Sequence, residues 1–274
     1  MAFEERPTKD WALILGASSG FGARTAIELA KAGFNIFGVH LDRRSTMPMV
    51  ESVIEQIRAA GREAVFFNVN AADPEKRAEV ISAIKAKIGA GPESGPNDPM
   101  VRVFLHSLAF GSLKPYIAPS EKERLSKAQM DMTLDVMAHS LVYWVQDLVA
   151  ENLMRRGGRI FAMTSAGSTR VIPYYGLVSA AKAALESHIR QLAFELAPLG
   201  ITANSIRAGV TRTPALEKIP GHDALVAQAE AKNPSGRLTT PEDIANAIVL
   251  LTDRRADWIT GNVIGVDGGE DIVG

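Results

Sequence analysis

Short apolar runs alternate with amphipathic stretches along nearly the whole chain. The runs at 11–15, 35–39, 64–67, 101–105, 159–163, 202–206 and 263–266 are each bounded by Gly, Asn, Asp or Ser. They read as buried strands. Between them, apolar residues recur at helical spacing over 22–32, 47–60, 74–88, 121–154, 175–199 and 241–251. Two helix starts are marked by their chemistry. In Thr240-Pro241-Glu242-Asp243 and in Asp73-Pro74-Glu75, a capping side chain precedes proline and an acid of the first turn. Strand and helix in regular alternation predict a single α/β domain with a doubly wound parallel sheet of about seven strands. Gly89 to Pro99 reads as a surface insertion. The irregular, proline-bearing stretch 212–237 is long enough to be a substrate lid.

The chain has 274 residues, 46% of them apolar, and a net charge of −1, enough for a full core. Near-neutral balance leaves no electrostatic footprint for nucleic acid and no polybasic face for lipid. No apolar stretch approaches a membrane span. The charged first eleven residues lack a secretory core, so a soluble cytoplasmic protein is expected. There are no cysteines, which excludes disulfides, thiolate metal sites and a cysteine nucleophile. The five histidines show no paired ligand spacing, and no metal is expected.

The first strand runs into Gly16-Ala17-Ser18-Ser19-Gly20-Phe21-Gly22 and then a helix. Gly16 permits a tight turn, Gly20 lets a diphosphate approach the backbone, and Gly22 lets helix and strand pack closely. The helix N-terminus offers unpaired N–H groups to phosphate. This G-x-x-x-G-x-G loop resembles that of the short-chain dehydrogenase/reductase family, and the resemblance runs from about Trp11 to Gly269. It implies an NAD(P)H-dependent oxidoreductase. By position in that family, the cofactor would also touch Asn68 and Val69 after the third strand, and Ser107, Leu108 and Ala109 after the fourth. Gly209, Thr211 and Thr213 after the sixth strand would hold the nicotinamide, although Ala208 stands where the family has proline. The choice of cofactor falls to His40-Leu41-Asp42-Arg43-Arg44. His40 takes the usual acidic slot. With Asp42 turned outward and Arg43 or Arg44 folded over the adenine, NADPH is favoured and NADH remains open; a solvated turn with little say in selectivity is the plainer alternative.

Family members carry a serine after strand five and a Tyr-x-x-x-Lys pair. Ser165 and Lys182 match, but the residue four before the lysine is Val178, and the candidate tyrosine is Tyr175, seven before it. Steps of four and seven return to nearly the same helix face. The wider spacing resembles the enoyl-acyl-carrier-protein reductases, the divergent branch of the family. Leu105-His106-Ser107-Leu108-Ala109-Phe110, Asp135 and Ile172-Pro173 agree with that branch. Ala166 departs from it, since many such enzymes have a second tyrosine there; the glycine loop and Ser165-Ala166 are nearer its NADPH-dependent subgroup.

The resemblance implies reduction of a trans-2-enoyl thioester on acyl carrier protein or coenzyme A, in fatty acid synthesis. Tyr175 would stabilise the enolate oxygen, Lys182 would hold the nicotinamide ribose and lower the phenol's pKa, and Ser165 would orient cofactor or substrate. Phe110, Tyr174 and the 212–237 stretch would line the acyl site, with Arg170, Arg212 and Lys218 facing an acidic carrier. The competing readings are a carbonyl–alcohol oxidoreductase of the same family and a non-catalytic nucleotide sensor. The two long helices resemble the family's subunit contacts, so a homotetramer is expected, with a dimer as the alternative.

Overall fold

In the computed structural model, residues 9–91 and 93–273 are described. Seven strands form one sheet: β1 (Trp11–Leu15), β2 (Asn35–His40), β3 (Ala64–Asn68), β4 (Val101–His106), β5 (Arg159–Ser165), β6 (Thr202–Ala208) and β7 (Val263–Val266). All neighbours pair in parallel, in the order β3-β2-β1-β4-β5-β6-β7. β1, buried along its whole length, carries alternate side chains into two cores. Trp11, Leu13 and Leu15 join the layer that includes Phe37, Phe104, Trp144 and Leu185. Ala12 and Ile14 join the opposite layer, with Leu29, Ile57, Phe161 and Ile248. A strand covered on both faces must be apolar at every position, which explains why the runs do not alternate.

The helices are α1 (Gly20–Lys31), α2 (Met47–Ala59), α3 (Pro74–Ile88), α4 (Lys127–Leu134), α5 (Ser140–Ala150), α6 (Gly176–Leu196), α7 (His222–Lys232) and α8 (Pro241–Leu251). The stretch 121–154, expected as one helix, is divided. Ser126 and Gln129 form a reciprocal capping box that starts α4 six residues later than expected. A π turn, Asp135–His139, then separates α4 from α5. There the Ser140 hydroxyl donates to the Val136 carbonyl at 2.8 Å, a back-bond that bends helices. The 212–237 stretch, expected to be irregular, contains α7. Only Val226 and Ala229 of that helix are buried, so its sequence shows no broad apolar stripe. Among the described residues, no helix is long and apolar enough to cross a membrane.

Candidate active site

The sheet order reverses between β1 and β4, and the crevice beyond their carboxyl ends is where α/β sheets bind ligands. Gly16 lies there with φ +84°, and a Cβ on it would collide with the Ser107 carbonyl. A Cβ on Gly22 would run into the Gly16 carbonyl. The loop can therefore close only around glycine at both places. Ser19, the N-cap of α1, makes no side-chain bond to the first turn, and that turn holds no acid. By contrast, Asp73 caps α3 and Thr240 with Asp243 caps α8. The N–H groups at the start of α1 thus face the loop with no anionic side chain against them, which fits a dinucleotide diphosphate. Ser18, Phe21, Ser107 and Leu108 are half-buried around the loop, and Ala109 is exposed. The Thr213 methyl group lies 3.6 Å from where a Gly20 Cβ would stand, which brings the segment after β6 against the loop.

At the end of β2 the structure corrects the expectation about Asp42. Its carboxylate is turned inward, 3.0 Å from His40 Nδ1, and is also hydrogen-bonded by Thr46 and Ser18. Burial alone would raise its pKa, but the bonds from Thr46, Ser18 and His40 outweigh it and hold the carboxyl below the usual range. Its backbone N–H donates to Asn68 Oδ1 at 3.0 Å, and Asn68 Nδ2 donates back to its carbonyl at the same distance. Val69 follows, its N–H bonded to the His40 carbonyl. Asp42 therefore sits between the glycine loop and Asn68. Arg43 and Arg44 are exposed.

Tyr175 precedes α6 as its N-cap rather than lying within it. Its ring packs on Gly167, where a Cβ would lie 2.6 Å from Cε1, and its hydroxyl is 3.4 Å from Ser165 Oγ. Burial pushes the phenol above its ordinary pKa, with the Ser165 bond opposing. That is the reverse of the expected lowering by Lys182. The lysine amine instead donates to the Met163 carbonyl at 2.7 Å. Its own pKa is lowered to about 8 by burial, against the pull of Glu186. Asp135 accepts from the Tyr143 hydroxyl at 3.3 Å. Val178, at the family's usual tyrosine position, is 5% exposed and packs with Met137 and Ala181 in a small apolar cluster that Tyr175 borders.

Tyr174 has a left-handed backbone, φ +63°, and is 49% exposed. Phe110 is 60% exposed. Both are open to solvent, as are Ile117 and Val171. Arg170 is paired with Asp271 at 2.8 Å and Arg212 with Glu230 at 3.6 Å, while Lys218 is exposed. Sequence reasoning passed over Tyr116, whose ring lies over Gly176 beside Tyr175. The only signal for it was the bare glycine at the start of α6.

A crevice of this kind, with a phosphate loop at the reversal of a parallel sheet and a phenol and a buried amine beyond it, defines a dinucleotide-dependent oxidoreductase. Residues 16–270 match the family model for enoyl-(acyl carrier protein) reductase, and the chain belongs to that family, within the short-chain dehydrogenases/reductases. The chain is 33% identical to the enoyl-acyl-carrier-protein reductase (NADH) of Aquifex aeolicus over 63% of each chain. It is 27% identical to versicolorin reductase 1 of Aspergillus parasiticus, over 94% of this chain and 95% of that one. The crystal structure of the Aquifex aeolicus reductase superposes with a TM-score of 0.82 at 24% identity, covering 97% of this chain and 98% of the other.

Proposed function

We propose that this oxidoreductase reduces the carbon–carbon double bond of a trans-2-enoyl thioester, carried on acyl carrier protein or coenzyme A, in fatty acid synthesis. When bound, a reduced nicotinamide supplies a hydride to the β-carbon. Gly16, Ser18, Ser19, Gly20, Phe21 and Gly22 would hold the diphosphate, and His40, Asn68 and Val69 would flank the adenosine. Ser107, Leu108, Ala109, Gly209, Thr211 and Thr213 would border the nicotinamide half, with Lys182 on its ribose. As the β-carbon is reduced, charge collects on the thioester oxygen, and a proton from solvent then adds at the α-carbon to give the saturated thioester. Tyr175, kept protonated by burial, donates a hydrogen bond to that oxygen where charge develops. Ser165 orients the phenol.

The observation that carries this reading is the meeting of Tyr175 with Ser165 at 3.4 Å, while the position four before Lys182 is an apolar, buried valine. The stretch 212–237 would cover the acyl chain, with Phe110 and Tyr174 at its mouth. Lys218 and Arg212 would face the carrier, and α4–α5 with α6 would pair subunits into a tetramer. For the cofactor, inward Asp42 favours NADH, because a carboxylate beside the loop accepts from ribose hydroxyls and repels a 2′-phosphate. Exposed Arg43 and Arg44 favour NADPH as the second reading. A carbonyl–alcohol oxidoreductase is the alternative for the reaction, supported by the near full-length likeness to versicolorin reductase 1. Purified protein should oxidise NADH or NADPH with crotonyl-CoA and leave a panel of ketones untouched. Ketone turnover without enoyl reduction would overturn the proposal.

A further inference from the structure

The last turn of the chain is bonded to three other segments that border the crevice. Asp267 shapes it, accepting from the N–H groups of Gly269 at 3.0 Å and Asp271 at 3.2 Å. Asn233 donates to the Asp267 carbonyl at 2.8 Å, which ties in the end of the 212–237 stretch. Asp271 bridges Arg170, after β5, and Arg207 of β6, at 2.8 and 2.9 Å. Between these two acids stands Glu270. Its Oε2 accepts from the Val210 N–H at 3.0 Å, and it lies 2.9 Å from where a Cβ on Gly209 would be. The close approach is open only because residue 209 has no side chain.

Burial pushes the Glu270 carboxyl up. The Val210 N–H opposes, Asp267 and Asp271 add to the rise, and Arg170 opposes again. A half-buried acid between two others is an unfavourable place for a charge, and the Val210 amide offsets it by donating to the carboxylate. That amide belongs to the segment whose Thr213 rests against Gly20 of the phosphate loop.

We propose that Glu270 is a positioning residue for the cofactor: its carboxylate fixes the Val210 amide and thereby holds segment 209–213 against the glycine loop. The proposal rests on the reading above, in which that segment borders the nicotinamide half. The hydrogen bond that Glu270 makes goes to a backbone amide of this segment, so its effect falls on the binding of the dinucleotide.

The test compares Kd for NADH and NADPH, from nicotinamide fluorescence, in the native protein, Glu270→Ala and Glu270→Gln. The alanine variant should bind about tenfold more weakly, the loss of one charge-assisted hydrogen bond. The glutamine variant, whose amide oxygen can still accept, should stay near native at neutral pH. In the native protein, affinity should fall as the pH drops through the raised pKa of the carboxyl, because a neutral carboxyl is a weaker acceptor. The facing charges are Asp267, Asp271 and Arg170, with Arg207 reached through Asp271, and all remain in the glutamine variant. Its profile should therefore be flatter than the native one. Native-like affinity in Glu270→Ala, or the native pH profile in Glu270→Gln, would overturn the proposal. If the alanine variant fails to fold, the comparison of native and glutamine profiles decides. Native protein that binds neither cofactor would overturn the functional reading itself, whereas native binding with unaltered variants sinks Glu270 alone.

Discussion

At the scale of single residues, the distinction between Tyr175 and Tyr174 is sharp. Tyr175 is packed on Gly167 and meets Ser165, whereas Tyr174 points its left-handed position toward solvent. Tyr175→Phe should lower kcat and kcat/KM for crotonyl-CoA together, by about 10²–10³-fold, with cofactor Kd unchanged. Tyr174→Phe should leave both near native. Full enoyl reduction by Tyr175→Phe would hand the role to another group. Val178→Tyr, which would restore the family's usual spacing, meets a filled cluster rather than an open site. Overpacking there should cost about 1–3 kcal/mol in urea unfolding. At the other end of the crevice, Asp42→Asn removes the inward charge while keeping an acceptor for His40. The ratio of NADPH to NADH affinity should rise about tenfold, or 1.4 kcal/mol, and an unmoved ratio would mean that Asp42 does not select.

At the scale of elements, legibility followed burial. β1, β4 and β5 are covered on both faces, so their apolar runs were plain in the sequence, and the structure lengthens β4 and β5 only by His106 and by Thr164 with Ser165. The phosphate loop was legible because its glycines are demanded by contact. Gly22→Ala forces a methyl group into the Gly16 carbonyl, and since both partners are backbone, neither can yield cheaply. The variant should lose about 3 kcal/mol or more in urea unfolding and bind NADH weakly; native stability would refute the close approach. What could not be read left no periodic trace, because it lay in single side-chain bonds or in a helix without a stripe. At the π turn the Ser140 hydroxyl bonds backward to Val136, a contact that a serine in a helical sequence does not announce. α7 lacks an apolar stripe, so periodicity could not find it. The direction of Asp42 is not legible in the sequence, because the charge at the end of β2 is visible there but the convergence of Ser18, Thr46 and His40 on it is not.

At the scale of the whole molecule, stability against acid is tied to the centre of the sheet. His106 closes β4 fully buried, with Nε2 2.8 Å from Ser140 Oγ. Since that hydroxyl donates its own proton to the Val136 carbonyl, the ring's Nε2–H donates to it. Burial, with Lys182 adding to it, lowers the histidine pKa from 6.5 to about 3. Between those values the unfolded chain binds a proton that the native protein does not, so unfolding becomes easier as the pH falls. The penalty is absent above pH 6.5 and grows by about 1.4 kcal/mol per unit below it, or about 2 kcal/mol by pH 5. Lys182, lowered from 10.5 to about 8, has the same sign in a separate alkaline window, where stability rises with pH. The carboxylates held low, Asp42 and Asp243, act only near and below their ordinary value of 3.8. His188, lowered by partial burial and by His139 facing it, shares the sign of His106 in this window, and the raised Glu270 carboxyl has the opposite sign, so the share of His106 is the part of the loss that its substitution removes. His106→Gln keeps a donor for Ser140 and cannot titrate, so between pH 6.5 and 5 its urea midpoint should fall clearly less than the native midpoint, by an amount corresponding to about 2 kcal/mol at pH 5. An equal fall in both proteins would place the acid sensitivity elsewhere in the molecule.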